Sequence, residues 1–189
     1  MSQNLVKLEN VYFLYTKIAE AQKDPFDTTG LTKKFSVTIC LSKADAKEFK
    51  KLKLNKTVKE ISGEEFRTKY KIDPPEEFAN EDDEYYVIGF SQKATYPDGR
   101  ETPDWTWPKT YLLEDGRPVD RTSTLVGNGS FGDLRFSTRE SKANGQVNTY
   151  LHSILVKSLV PVERRGDEWA QAGEDTASAN SQADDDLPF

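Results

Sequence analysis

The sequence is poor in the residues that build disulfides, metal sites and histidine-based active sites. It contains one cysteine, Cys40, and one histidine, His152. A single cysteine excludes an internal disulfide, and a single histidine excludes a histidine-rich metal site and disfavours a catalytic triad. No apolar run approaches membrane-spanning length, and the N-terminus lacks the basic and apolar regions of a signal peptide. These absences predict a soluble intracellular protein that needs neither a cofactor nor a membrane.

Basic residues are absent from the end of the chain. Seven of the 32 acidic residues follow Gly166, where no lysine or arginine occurs, and the whole chain has a net charge of −6. Residues 1–166 therefore carry 26 basic and 25 acidic residues, a near-neutral body joined to an acidic tail. Such a tail can compete with an anionic partner for a cationic surface of the body.

Alternation of apolar and polar residues predicts a mainly β structure. We predict strands over residues 5–15, 35–41, 85–93, 111–113, 125–138 and 147–160. We predict that Ser42 and Ser62 are the N-caps of two short helices, and that residues 143–145 form a hairpin between the last two strands. Five or six strands with one principal helix fit an OB-fold-like closed β-barrel better than a sandwich. The helices follow the second strand instead of the third, which indicates either merged strands or a helical insertion.

One glycine motif has to be rejected as a nucleotide-binding loop. Residues 127–132 match the G-x-G-x-x-G pattern of dinucleotide-binding proteins. That pattern binds pyrophosphate only where a helix follows it. Here Leu134, Phe136 and Thr138 alternate with polar residues, which is the period of a strand. The glycines are therefore predicted to form a bulge or a close approach of two backbones.

Exposed aromatic and cationic side chains are the candidates for binding chemistry. Two tryptophans in a proline-flanked polar segment have little apolar cover, and such rings can stack on the bases of a single nucleic-acid strand. The candidate stacking residues are Trp105, Trp107, Tyr96 and Tyr111, with Phe131 and Tyr12 as weaker ones. The candidate phosphate contacts are Arg135 and Arg139, which share a strand face, and Lys93, Lys109, Lys33 and Lys34. The alternatives are core packing for each ring and simple solvation for each cation.

The end of the chain combines charge with apolar side chains. Residues 171–183 contain no aliphatic side chain larger than alanine, so they cannot offset the entropy of ordering and are predicted to be a disordered tether. The tether ends in Asp184, Asp185, Asp186, Leu187, Pro188 and Phe189. Two apolar side chains behind three carboxylates have the form of a docking peptide for a basic pocket, although a plain solubilising tail is the alternative.

This tip closely resembles the acidic end of single-stranded DNA-binding (SSB) proteins. Over most of residues 5–163 the body is similar to phage-encoded SSB proteins of the OB-fold type. The similar stretches are residues 30–43, the lysine-rich helix that follows them, residues 127–130 and residues 155–161. The resemblance implies a DNA-binding domain over residues 1–166 and a tail over residues 167–189.

The function implied by this resemblance is sequence-independent binding and protection of single-stranded DNA, without catalysis. It would serve phage DNA replication, recombination and repair in the cytoplasm of the infected host. The tail would compete for the DNA groove and recruit replication or repair proteins, and the protein could self-associate on DNA. A structural or interaction protein with a β-barrel is the alternative. A metal-dependent nuclease using Asp82, Asp83 and Glu84 is disfavoured, because three adjacent acids on a strand cannot face one metal ion.

Overall fold

The computed structural model describes residues 4–162, which form eight strands and two α-helices. The elements are β1 (Asn4–Lys23), β2 (Lys33–Leu41), α1 (Lys43–Lys51), β3 (Lys59–Ser62), α2 (Gly63–Tyr70), β4 (Glu84–Lys93), β5 (Lys109–Glu114), β6 (Arg117–Asp120), β7 (Ser130–Glu140) and β8 (Val147–Ser158). Short 3₁₀ turns occupy Glu76–Phe78 and Asp104–Thr106. The mainly β class with two short helices is therefore confirmed.

All eight strands belong to one sheet in the order β3-β4-β2-β1-β7-β8-β5-β6. Neighbours are antiparallel except β5 and β8, which pair in parallel. The sheet curls until β4 packs near β8, but within residues 4–162 no ladder joins these two strands. The edge of β8 is already occupied by β5, so the barrel is OB-fold-like and partly open instead of closed as expected from the sequence.

The interior of the curled sheet holds the main core. Alternate residues of β2 and β4, such as Val37 and Phe90, point inward because side chains alternate between the two faces of a strand. The ring of Phe90 stacks on Phe136 of β7 with centroids 4.8 Å apart. Phe49 of α1 approaches both rings at 6.1 and 6.0 Å, so α1 caps this core.

A second cluster covers the other face of β1, β2 and β4. Phe66 and Tyr70 of α2 pack against Leu14, Cys40 and Val87. Cys40 is completely buried, and burial raises the pKa of its thiol to about 12. The cysteine is thus a core residue, as its apolar neighbours in sequence predict.

The helices and β3 form an insertion between β2 and β4. The sequence analysis left two interpretations of the helix position, merged strands or a helical insertion. The structure shows the insertion. Ser42 and Ser62 accept hydrogen bonds from the backbone N–H groups of Asp45 and Glu65, each at 3.1 Å, so both caps are confirmed.

β1 is longer than predicted because bulges interrupt its alternation. Asn10 and Tyr15 have φ values of 57° and 48°, and the register shifts beside each of them. Their backbone N–H groups donate to the side chains of Asp133 and Asn128, at 3.0 and 2.7 Å. These side chains satisfy donors that the ladder leaves unpaired, so the strand continues past both bulges.

The rejected glycine motif leads into β7, a strand and not a helix. A Cβ atom at Gly132 would overlap the backbone carbonyl of Leu155 on β8. A Cβ atom at Gly127 would lie 2.5 Å from the carbonyl oxygen of Val160. The predicted close approach of two backbones is confirmed at both positions.

We expect Gly132→Ala to lower the free energy of unfolding by about 1–3 kcal/mol or more, because β7 and β8 must separate to admit the methyl group. Gly89→Ala is the matched control on another strand, since the nearest atom to its Cβ would be Thr38 Oγ1 at 3.8 Å. Its effect should stay within about 0.5 kcal/mol. Urea unfolding followed by circular dichroism measures both, and equal midpoints for the two variants would contradict the close approach.

Candidate nucleic-acid interface

The open face of β5, β7 and β8 carries cationic and aromatic side chains in adjacent rows. Lys109 on β5 lies beside Ser153 on β8, which in turn pairs with Arg135 on β7. Paired residues of neighbouring strands project to the same side of a sheet, so these three form one row. Farther along the hairpin, Tyr150 is opposite Ser137 in the same way. We call this side the outer face.

The main cleft on the outer face has a volume of about 550 Å³. It lies between the segment after β4 and strands β5, β7 and β8. Four aromatic residues and three basic ones are among those that line it: Trp105, Trp107, Tyr111, Tyr150, Lys109, Arg139 and His152. This mixture is typical of proteins that stack bases and bind phosphates along one strand.

Two smaller clefts continue the main cleft in both directions. One, of about 230 Å³, shares Tyr111, His152 and Ser153 with it and adds Lys7 and Arg135. The other, of about 260 Å³, shares Arg139 and Tyr150 and adds Lys142 of the β7–β8 hairpin. Because the clefts share residues, they form one continuous surface, which we call the groove.

The two tryptophans of the groove have different environments. Trp105, on the 3₁₀ turn, is 80% exposed and makes no hydrogen bond or ring contact within residues 4–162. The indole N–H of Trp107 donates to Thr102 Oγ1 at 2.9 Å, and its ring lies 5.4 Å from Phe35. Trp105 is therefore free to stack on a ligand, whereas Trp107 anchors the segment that carries it.

Within residues 4–162, the arginines of the groove have no protein partner. Arg135 and Arg139 are exposed, and neither forms an ion pair or side-chain hydrogen bond with any residue that the structure describes. Lys109 faces Asp120 at 3.7 Å, a weak solvent-exposed pair. Unpaired guanidinium groups on an open face are suited to bind phosphate oxygens.

No protein-family model and no curated protein matches the chain. Among solved structures it is similar to gp2.5, encoded by bacteriophage T7, at 17% identity and a TM-score of 0.47, over 92% of this chain and 96% of that one. It is also similar to a protein of bacteriophage Enc34 in complex with ssDNA, at 14% identity and a TM-score of 0.43, over 84% and 89% of the two chains. Both are single-stranded DNA-binding proteins.

Other predicted contacts lie beside the groove. Lys33 lines a neighbouring cleft of about 580 Å³ on the other side of Trp107 and Lys109. Lys34 and Lys93 are opposite each other on β2 and β4, and Lys34 lies 3.6 Å from the carboxylate of Asp24.

Tyr96 also lies outside the groove, in the turn after β4. Its ring is 41% exposed and lies 5.4 Å from the Arg100 guanidinium. This ring and the lysines beside the groove do not line the groove itself.

Two predicted stacking residues are turned away from the groove. Tyr12 and Phe131 pair across β1 and β7, with ring centroids 5.0 Å apart, on the side covered by the second cluster. The hydroxyl of Tyr12 donates to Glu77 at 2.9 Å, and burial together with this bond raises its pKa to about 12. The strand register places both rings on this side of the sheet, where Tyr12 also lies 5.4 Å from Phe78, so neither ring lines the groove.

Several groove residues were not predicted from the sequence. They are Lys7, Gln92, Lys142, Tyr150 and His152. The sequence did contain a signal for Tyr150. The predicted hairpin through residues 143–145 pairs the last two strands and thereby brings Tyr150 near Arg139. The others depend on how the sheet curls, which strand periodicity does not reveal.

Among residues 4–162 no group of histidine, cysteine or acidic residues is arranged to hold a metal ion. Asp82 faces Lys43 at 3.5 Å, and Asp83 accepts from the backbone N–H of Gly63 at 3.2 Å. No helix in the described part of the chain is both long and apolar enough to cross a membrane. The tip from Asp184 to Phe189 and the domain boundary at Gly166 lie outside the described residues.

Truncating the two tryptophans should affect stability differently. Trp105→Ala should leave the free energy of unfolding within about 0.5 kcal/mol, because the ring is exposed. Trp107→Ala should lower it by more than about 1 kcal/mol, since the packing on Phe35 and the bond to Thr102 are lost. Urea unfolding followed by far-ultraviolet circular dichroism measures both free energies. Equal losses of unfolding free energy would contradict the distinction between the exposed Trp105 and the packed Trp107.

Proposed function

We propose that this protein binds single-stranded DNA, without sequence preference, along the groove of the outer face. The observation that carries the proposal is the placement of Trp105, Tyr111 and Tyr150 next to Arg135 and Arg139, which have no partner in the described part of the chain. Aromatic rings accept any base by stacking, at about 1–3 kcal/mol for each base. Guanidinium groups bind the phosphates between the bases.

Two polar side chains that line the main cleft, Gln92 and Trp107, already form hydrogen bonds within the protein, which favours binding without sequence preference. The side-chain amide of Gln92 donates to the carbonyl of Thr106 at 3.1 Å and accepts from the backbone N–H of Lys93 at 3.2 Å. The indole N–H of Trp107 is engaged by Thr102. These two groups are already paired within the protein, so they are not available to base edges. Reading a base sequence needs free donors and acceptors directed at base edges.

The length of the groove suits a short run of nucleotides. From Asn148 to Leu155 it follows β8 for roughly 25 Å, at about 3.3 Å for each residue of a strand. This span is consistent with the lower end of the roughly 4–16 nucleotides that one OB-fold binds.

The wider role that we propose is protection of single strands during phage DNA replication, recombination and repair in the infected cell. We propose residues 1–166 as the binding domain and residues 167–189 as a tail with two uses. The seven acids of the tail can compete with phosphate for the groove, because both are anionic. Leu187 and Phe189 are suited to anchor the tip in a pocket of a replication or repair protein.

The salt dependence of binding to oligothymidine tests the proposed function. Each phosphate contact on a single strand contributes about 0.7 to the slope of log affinity against log salt. The double variant Arg135→Gln and Arg139→Gln should therefore flatten the slope by roughly 1.4. Fluorescence anisotropy of a labelled oligothymidine at several salt concentrations measures it.

A matched control replaces two arginines that are engaged elsewhere. Arg67 is paired with Asp73 and Arg121 with Glu114, each at 2.9 Å. Replacing both with glutamine should leave the slope as in the unaltered protein. If the unaltered protein does not bind oligothymidine, the proposed function is wrong. If both double variants flatten the slope equally, the proposal that the groove is the binding site is wrong.

Shortening the tail should separate its two uses. A chain that ends at Gly166 should bind oligothymidine more tightly than the full chain, most clearly at low salt, where charges are least screened. Removal of Phe189 alone should leave DNA affinity unchanged and abolish capture of a replication protein, because the tip loses its anchor. DNA titrations and pull-downs at two salt concentrations measure these effects. Unchanged affinity at low salt after truncation at Gly166 would contradict competition by the tail.

A further inference from the structure

His152 lies where the main cleft meets the smaller cleft around Arg135. It lines both clefts, together with Tyr111 and Ser153. Of these three, the imidazole is the group whose ordinary pKa lies closest to neutral pH. A strand that crosses from one cleft to the other must pass a side chain that can gain or lose a charge.

The hydrogen bonding of His152 leaves one ring nitrogen available. Nδ1 lies 2.9 Å from Oγ of Ser153, a contact that orients the ring. Nε2 makes no hydrogen bond to any residue between 4 and 162. A protonated imidazole donates from both nitrogens, so Nε2 can then donate to an anion in the groove while Nδ1 keeps Ser153.

The charges around His152 are predominantly positive. On β1, β5 and β7, the charged or titratable residues of the two clefts are Lys7, Lys109, Tyr111, Asp133, Arg135 and Arg139, and Tyr150 lies on its own strand. Asp133 is the carboxylate in this set, and it already lies 3.0 Å from the ammonium group of Lys157. Burial and the nearby Arg135 guanidinium hold the pKa of His152 below its ordinary value.

We propose that His152 is a proton-dependent phosphate contact, which binds the single strand at the junction of the two clefts when its imidazole is protonated. The inference rests on the proposed DNA-binding function and assigns a further residue to the same groove. A phosphate at the junction neutralises the repulsion from Arg135 and accepts a hydrogen bond from Nε2. Both effects favour the charged imidazole.

The direction of the pH effect follows from linkage. DNA raises the pKa of His152 from its lowered value in the free protein, so binding takes up a proton between the two values. Affinity therefore rises as the pH falls through the bound-state pKa and levels off below the free-state pKa. The total gain is about tenfold for each unit by which DNA raises the pKa.

Proton NMR of the full-length protein tests this proposal directly, because His152 is the only histidine in the chain. The pKa of its ring should be below the ordinary value of about 6.5 in the free protein and higher with saturating oligothymidine. Thymine does not titrate between pH 6 and 8, so a change in that range belongs to the protein. An unchanged pKa in the presence of bound DNA would overturn the proposal.

A variant provides the second readout. His152→Gln should lose the increase in oligothymidine affinity between pH 8 and pH 6, so the ratio of its affinities at the two pH values is the readout. The tail is intact in both proteins, so its carboxylates contribute equally to the pH dependence of their DNA affinities. A variant that keeps the full pH dependence would overturn the role of His152 even if DNA binding itself is intact. Failure of the unaltered protein to bind at any pH would instead overturn the proposed function.

Discussion

The parallel pairing of β5 with β8 determines both the shape of the barrel and the composition of the groove. Lys109 to Leu112 pair with Ser153 to Val156, so the edge of β8 that could have closed the barrel against β4 is occupied. The same pairing brings the segment of Trp105 alongside the face that carries Arg135 and Arg139. Without it, Trp105, Trp107 and Tyr111 would lie apart from Arg135 and Arg139, and Tyr150 would be the groove ring left beside Arg139.

The packing of the insertion decides which side of the sheet remains open. α2 covers the outer side of β1, β2 and β4 with Phe66 and Tyr70, and there it buries rings that could otherwise stack on bases. On β5, β7 and β8, Lys109, Arg135 and Arg139 are exposed on the outer face, and Tyr111 and Tyr150 line the groove. One side of the sheet is thus stabilised by burial, and the other is left for a ligand.

Much of the fold follows from the alternation of apolar and polar residues along the sequence. The alternation in β2, β4, β7 and β8 and the serine caps of both helices are confirmed, because local patterns encode them. β3 and β6 were missed, since each has four residues and too few alternations to detect. The length of β1 was underestimated because its bulges depend on Asp133 and Asn128, more than a hundred residues away.

The candidate site was predictable only where one strand or segment held its members together. Trp105, Lys109 and Tyr111 come from a single segment, and Arg135 and Arg139 from one face of β7. Their meeting depends on the parallel β5–β8 pairing, which no sequence pattern indicates.

Strand register also decides where single candidate residues lie. It places the rings of Tyr12 and Phe131 on the side of the second cluster and not in the groove. His152 lies beside a register shift in β8, so alternation alone does not assign it to a face.

The central claim is that a single strand lies along the outer face of β5, β7 and β8. Photocrosslinking of an oligothymidine that carries halogenated uracil, followed by mass spectrometry, locates the strand directly. The account predicts crosslinks at Trp105, Tyr111 and Tyr150, the rings that line the groove. Crosslinks confined to the β2–β4 side, near Lys34 and Lys93, would contradict it.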